Sequence, residues 1–239
     1  MTWEPDQLTE SWARSVRPIL GHPAKQYGTA CDIPHAQRQT WANCLGGDSI
    51  PKEVLCDADP DQLVATPANI VQCFKQELWL LGLVLTIRWG AMGRSRRYIF
   101  KQEPPKVRRT LEICASTIKT TADLEKAWEC LNPLGWSPVI RSKTLHFLCR
   151  AYGSTTMVPV PLDNQVTLQC LWPAFIREVK YRQRACGAQD KTPRSWAQGD
   201  FDAYRRYMTA ILTWSTHLGW STTETEATIF ARHNGMKWE

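Results

Sequence analysis

The sequence has no Cys-x-x-Cys pair. Its nine cysteines come no closer together than Cys44 and Cys56, twelve positions apart. That spacing excludes a zinc ribbon and a Cys-ligated iron–sulfur cluster. No metal site and no organic cofactor is expected. There is no long hydrophobic run either. The longest, Leu78 to Ile87, is ten residues, against the ~20 needed to span a bilayer, so no membrane partner is expected. The opening MTWEPDQLTES has no basic region followed by an apolar one, and no secretory signal is expected. Free thiols in a reducing cytoplasm fit these features. Stretches of strict polar–apolar alternation are few, so strands should be few. No internal repeat or low-complexity tract is present.

What is there suffices for a real core: 239 residues, 43% of them hydrophobic. The formal charge of +6 and a pI of about 8.9 suit a polyanionic partner. Twelve tryptophans is a high number. Tryptophan can stack on bases or sugars, although burial preference assigns most of them to the core.

Residues 1 to about 60 are interrupted by Pro5, Pro18, Pro23, Pro34 and Pro51. They predict an irregular segment packed on the core. Glu53, Asp57, Asp59 and Asp61 form a solvated acidic patch within it. Residues 61–239 predict a helical domain, and the whole a single compact monomer, mainly α with a few short strands in the N-terminal third. One buried helix is expected from about Asn69 to Trp89, on the spacing of Ile70, Val71, Phe74, Leu78, Leu81 and Leu85. The glycines of WGAMGR, Trp89 to Arg94, end it. Arg88 to Arg109 then carries eight Lys or Arg and a single acid, Glu103. This densest basic stretch, Arg94, Arg96 and Arg97 above all, could contact phosphates; a solvated loop is the plainer alternative.

Helices are expected over Val107–Thr120 and Asp123–Leu131, the second capped by Thr121 or Asp123. A short turn, Leu134 to Ser142, should follow. Lys143 then opens a helix that stops near Gly153. An extended Pro-rich run, Val158 to Pro161, delivers Asp163 to the start of the next helix. Lys143 and Asp163 are 20 residues apart, with a turn between them that can bring them together. Further helices are expected over residues 164 to about 183, Gly199–Leu218 and Thr222–His233.

An amine and a carboxylate at two helix starts can act on a sugar carbon. Breaking a glycosidic bond builds positive charge on the sugar. Asp163 could stabilise that charge or activate a water; the bland role is an N-cap. Lys143 could instead attack the sugar carbon. An amine attacks only in its neutral form, which desolvation and nearby cations promote. His146 and Phe147 lie three and four residues after Lys143, on the same helix face. Phe147 is a candidate wall for a base pocket or a core residue, and His146 is more often a satisfied histidine than a catalyst. Trp214, His217 and Trp220 are further pocket candidates.

LGWSPVIRSK followed by PVPLDNQV resembles the helix-hairpin-helix DNA glycosylase superfamily. There a hairpin precedes a catalytic lysine, matched by Lys143, and a Val-Pro-x-Asp stretch about twenty residues on carries the catalytic aspartate, matched by Asp163. SKTLHF together with WGAMGR is similar to the bacterial branch with the 8-oxoguanine glycosylase fold. That branch includes an antiphage enzyme acting on α-glucosylated hydroxymethylcytosine in phage DNA. Where the family hairpin carries two glycines, this chain has Val139 and Arg141, and some members have histidine where Gln165 stands.

The resemblance implies a helix-hairpin-helix fold, duplex DNA as partner, and base flipping with cleavage of the N-glycosidic bond. It implies catalytic roles for Asp163 and Lys143, and DNA contacts by Arg141, Ser142, Asn164 and Gln165. The alternatives are repair of oxidised guanine with strand cleavage, and a non-catalytic DNA-binding module of the same fold.

Overall fold

A computed structural model of the chain describes residues 35–90, 101–120, 123–153, 159–162 and 201–232. The chain divides into two compact units, one of residues 28–159 and one of residues 1–27 with 160–239. The described residues are mainly helical. Among them no helix is long and apolar enough to cross a membrane.

The first unit begins with a small antiparallel sheet of β1 (His35–Gln37), β2 (Leu55–Cys56) and β3 (Asp59–Val64), in the order β1-β3-β2. β3 pairs Leu63 with Ala36 on one side and with Leu55 on the other, and the β2 register shifts by a bulge at Leu55/Cys56. The expected boundary at residue 60 falls inside β3. Of the acidic patch, Glu53, Asp57 and Asp61 are exposed. Asp59 instead shapes the strand start, accepting from the Asp61 amide and the Gln62 side chain. α1 (Arg38–Trp41) follows β1 directly and packs on β1 and β3, burying Trp41.

The helix expected over residues 69–89 is two helices, α2 (Pro67–Lys75) and α3 (Trp79–Trp89). α2 starts on Thr66, whose hydroxyl accepts from the Asn69 amide, with Pro67 in the first turn. It stops because Glu77 turns left-handed, at φ 58°. The Leu78 amide then bonds back to the Cys73 carbonyl and the Glu77 amide to Phe74, the Schellman arrangement. Periodicity missed the stop because that position is usually glycine and here is glutamate. Phe74 and the whole run Trp79–Ile87 are buried. α3 can lie against α2 because residue 82 is glycine: a Cβ there would meet the Phe74 ring at 2.8 Å.

No side chain at Leu78 caps α3. The cap comes from Asp48, which accepts from the Leu80 amide at 2.9 Å and the Leu81 amide at 3.1 Å. The other oxygen of Asp48 pairs with Arg108. Arg108 belongs to α4 (Pro104–Thr117), which starts three residues earlier than expected because two prolines fill its first turn. α4 buries Val107, Leu111, Cys114 and Ala115. α5 (Leu124–Cys130) follows, with Asp123 at the N-cap position. Its carboxylate turns back to the Thr120 amide and hydroxyl instead of capping; Thr121 lies outside the described residues. A 3-10 turn, Asn132–Leu134, and Gly135 at φ 66° lead to α6 (Pro138–Tyr152). α6 packs against α2, α3, α4 and α5, and is buried without a break from Ser142 to Cys149.

The second unit contains α7 (Phe201–Leu218) and α8 (Thr222–Arg232), packed on each other. α7 buries Tyr204, Tyr207, Met208, Ile211, Trp214 and Leu218, a single stripe at helical spacing, whereas Leu212 is exposed. Gly219 at φ 71° reverses the chain. Ser221 and Glu224 then form a capping box: the Ser221 hydroxyl accepts from the Glu224 amide, and the Glu224 carboxylate accepts from the Ser221 amide. The Ser221 hydroxyl also donates to the Glu224 carboxylate, and this bond, with that of the Ser221 amide, holds the carboxyl below its usual range.

Asp48 joins the start of α3 to α4 with a charge that is almost fully buried, its side chain 1% exposed. Asp48→Ala removes a helix cap and leaves Arg108 without this acid. It should cost roughly 3 kcal/mol of stability, read from urea unfolding. A loss below about 0.5 kcal/mol, the size of an ordinary surface change, would show that the cap and pair contribute little.

Candidate functional site

Lys143 does not open a helix. α6 begins at Pro138, so Lys143 lies in its second turn, and the stretch expected as a turn up to Ser142 is already helical from Pro138. The physical reason is Pro138 itself: its fixed φ suits a first helical residue, and Ser137 precedes it in the extended conformation that a proline imposes. Val139 and Arg141 therefore sit in a helical first turn, where no left-handed φ requires glycine.

This placement takes Lys143 off the surface, to 4% exposure. Its Nζ lies 5.6 Å from the centre of the Trp89 ring, a cation–π distance. Trp89 is the last residue of α3. The same ring stacks on His146, centroids 6.4 Å apart and planes 6° apart. It meets Phe147 edge-on at 5.0 Å. His146 and Phe147 are themselves edge-to-face at 4.9 Å. The i, i+3, i+4 face of α6 thus closes on one indole. The sequence placed Lys143, His146 and Phe147 on that face but gave Trp89 no role beyond ending a helix. Its signal was the joint occurrence of WGAMGR and SKTLHF.

His146 and Phe147 are fully buried. Phe147 packs as a core residue, and Trp89 is half-buried. His146 Nδ1 donates to the Pro159 carbonyl at 2.7 Å. Burial pushes its pKa down to about 3, against a smaller upward pull from that hydrogen bond. At neutral pH the imidazole is uncharged, with its proton on Nδ1.

Arg141 binds its own surroundings. Its Nε donates to the Trp136 carbonyl at 2.8 Å, its Nη1 to Asn132, and its guanidinium lies 5.3 Å from the centre of the Trp128 ring. It clamps the turn between α5 and α6, and burial lowers its pKa. Ser142 is buried, its hydroxyl donating to the Val139 carbonyl one turn back. In the second unit Trp214 is buried, Trp220 half-buried and His217 exposed. Asp163, Asn164, Gln165, Arg94, Arg96 and Arg97 lie outside the described residues.

Two other features stand apart from this cluster. A cavity of about 600 Å³ is lined by Gly46, Leu80, Pro104, Pro105, Arg108, Arg109 and Glu112, none of them a candidate site residue. The thiols of Cys73 and Cys149 are pushed up to about 12 by burial, and that of Cys114 well above its usual value. Such thiols are poor nucleophiles.

His146 gives a pH prediction with a defined sign. Its folded pKa of about 3 lies below the ordinary 6.5. The unfolded chain therefore binds a proton that the folded chain refuses between pH 6.5 and 3. Stability should fall as pH drops through that window, with a slope of up to about 1.4 kcal/mol per unit from this group. His146→Gln should start from a lower stability at pH 7 and lose this part of the slope. Equal slopes in the two proteins, measured by urea unfolding from pH 7 to 4, would contradict the assignment.

Against known proteins, no family model, no curated protein and no solved structure matches the chain.

Proposed function

We propose that the chain is a DNA glycosylase of the helix-hairpin-helix type. In this reading it flips a modified base out of duplex DNA and cleaves the N-glycosidic bond, leaving an abasic site. The substrate is α-glucosyl-hydroxymethylcytosine in phage DNA, and the role is antiphage defence. The observation that carries the reading is the burial of Lys143 against Trp89 in the helix after a short turn. A lysine on the same helix face as His146 and Phe147, against one indole and at the position the motif gives to a nucleophile, is a candidate for that chemistry. The motif resemblance supplies its partner acid, Asp163.

In the hydrolytic route water adds to the sugar carbon, the base leaves with the bonding pair, and a proton from the water balances the base. The Asp163 carboxylate stabilises the positive sugar or takes up the water's proton. In the lyase route Lys143 is the nucleophile and a Schiff base follows. A glucosylated base calls for a pocket that hydrogen-bonds the hexose. Plain cytosine would leave those groups unpaired, which costs about 10⁴-fold or more in rate.

The test is mass spectrometry of bases released from phage DNA with and without the glucosylated base. Release from the modified DNA alone is expected. Efficient release of 8-oxoguanine with the glucosylated DNA untouched would replace this substrate by the repair one. Asp163→Asn should abolish release and keep DNA binding, because the charge acts on the transition state. Borohydride trapping that is lost in Lys143→Gln selects the lyase route; intact abasic DNA with no adduct selects water. Arg94, Arg96 and Arg97 reversed together to Glu should weaken binding to every sequence and flatten its salt dependence.

A further inference from the structure

One face of α4 lines the cavity of about 600 Å³: Pro105, Arg108, Arg109 and Glu112 follow one another at helical spacing. Gly46, Leu80 and Pro104 complete the lining. These walls are tied together. Gly46 lies so close to both helices that a Cβ there would meet Leu80 at 2.5 Å and Pro104 at 3.2 Å. Arg108 donates to the Gly46 carbonyl at 3.4 Å and pairs with Asp48, the residue that caps α3. The cavity is therefore formed before anything enters it, as small-molecule sites usually are. Its wall at the start of α4 is apolar. Pro104 and Pro105 have no N–H, and the next two amides, of Lys106 and Val107, both bond to the Glu103 carbonyl.

The charges in the lining are not alike. Asp48 meets that of Arg108. Arg109 and Glu112 are exposed, and among the described residues neither pairs with the other or with another charge. An unpaired cation and an unpaired anion, three residues apart on α4, thus line one cavity with an apolar wall. We propose that this cavity binds a small zwitterion with an apolar body, of the class of short peptides. Its carboxylate lies on the Arg109 guanidinium, whose fork of N–H donors fits a carboxylate. Its ammonium lies on the Glu112 carboxylate, and its side chains on Leu80, Pro104 and Pro105. A simple anion would be repelled by Glu112, and a simple cation by Arg109. The volume falls in the range of about 300–1,000 Å³ that suits such ligands. The inference is independent of the glycosylase reading.

The test is calorimetric titration of the full chain with leucyl-phenylalanine, with its N-acetylated form and with its C-terminal amide. Saturable binding of the free dipeptide is expected. Each capped form should bind about fivefold more weakly, the size of one lost contact between partly exposed charges. Arg109→Gln should remove the difference between the free and amidated dipeptides. Glu112→Gln should remove the difference between the free and acetylated ones. Both side chains are exposed and unpaired, so the variants should keep the wild-type thermal midpoint. No saturable binding at dipeptide concentrations up to about 10 mM would overturn the proposal. So would equal affinity for the three forms, unchanged binding in either variant, or displacement of the dipeptide by an equal concentration of inorganic phosphate.

Discussion

One buried carboxylate carries much of the first unit. Asp48 lies in the loop after the 3-10 turn Ala42–Cys44, about thirty residues before the helix it caps. Its two oxygens accept the Leu80 and Leu81 amides and the Arg108 guanidinium. A buried charge is tolerable only when its acceptor sites are filled, and here a helix N-terminus and an arginine do so together. The negative charge is also felt by its surroundings: it adds to burial in raising the Cys73 thiol. By fixing the start of α3, Asp48 also fixes where the helix ends. Eleven residues at about 1.5 Å each place Trp89 some way off, over the face of α6.

That far end is where the candidate chemistry sits. Trp89 touches Lys143, His146 and Phe147 at once. A cation–π contact contributes about 2 kcal/mol at most, less than the cost of desolvating an ammonium. Trp89 is not the only partner of Lys143, yet a leucine at this point of α6 would be simpler to bury. The neutral His146 beside it adds no charge and ties the helix to Pro159.

The predominance of helix was legible from the scarcity of alternating stretches and the spacing of apolar residues. So were the amphipathic α7 and the face shared by Lys143, His146 and Phe147. The break at Glu77 was not, because a left-handed glutamate has no sequence signal and the flanking apolar residues continue the helical period across it. The depth of Lys143 was missed for a related reason. Pro138 was read as part of a turn, where it is the first residue of a helix, and five residues are enough to carry a side chain from a helix end into a core. Arg141 offered its charge to a phosphate in the sequence, but Asn132, Trp136 and Trp128 are nearer partners once the turn is folded.

The sequence by itself determined the helical class and the absence of metal-type cysteine spacing. These depend on local stereochemistry and on periods of a few residues, which a linear reading contains. Tertiary structure alone decided that Asp48 caps a helix thirty residues away, that Trp89 closes over Lys143, and that two tyrosines of α7 hold the carbonyls of Val160 and Pro161. Each joins groups distant in the chain, and buried polar atoms choose their partners by proximity in the folded core, which no local pattern encodes.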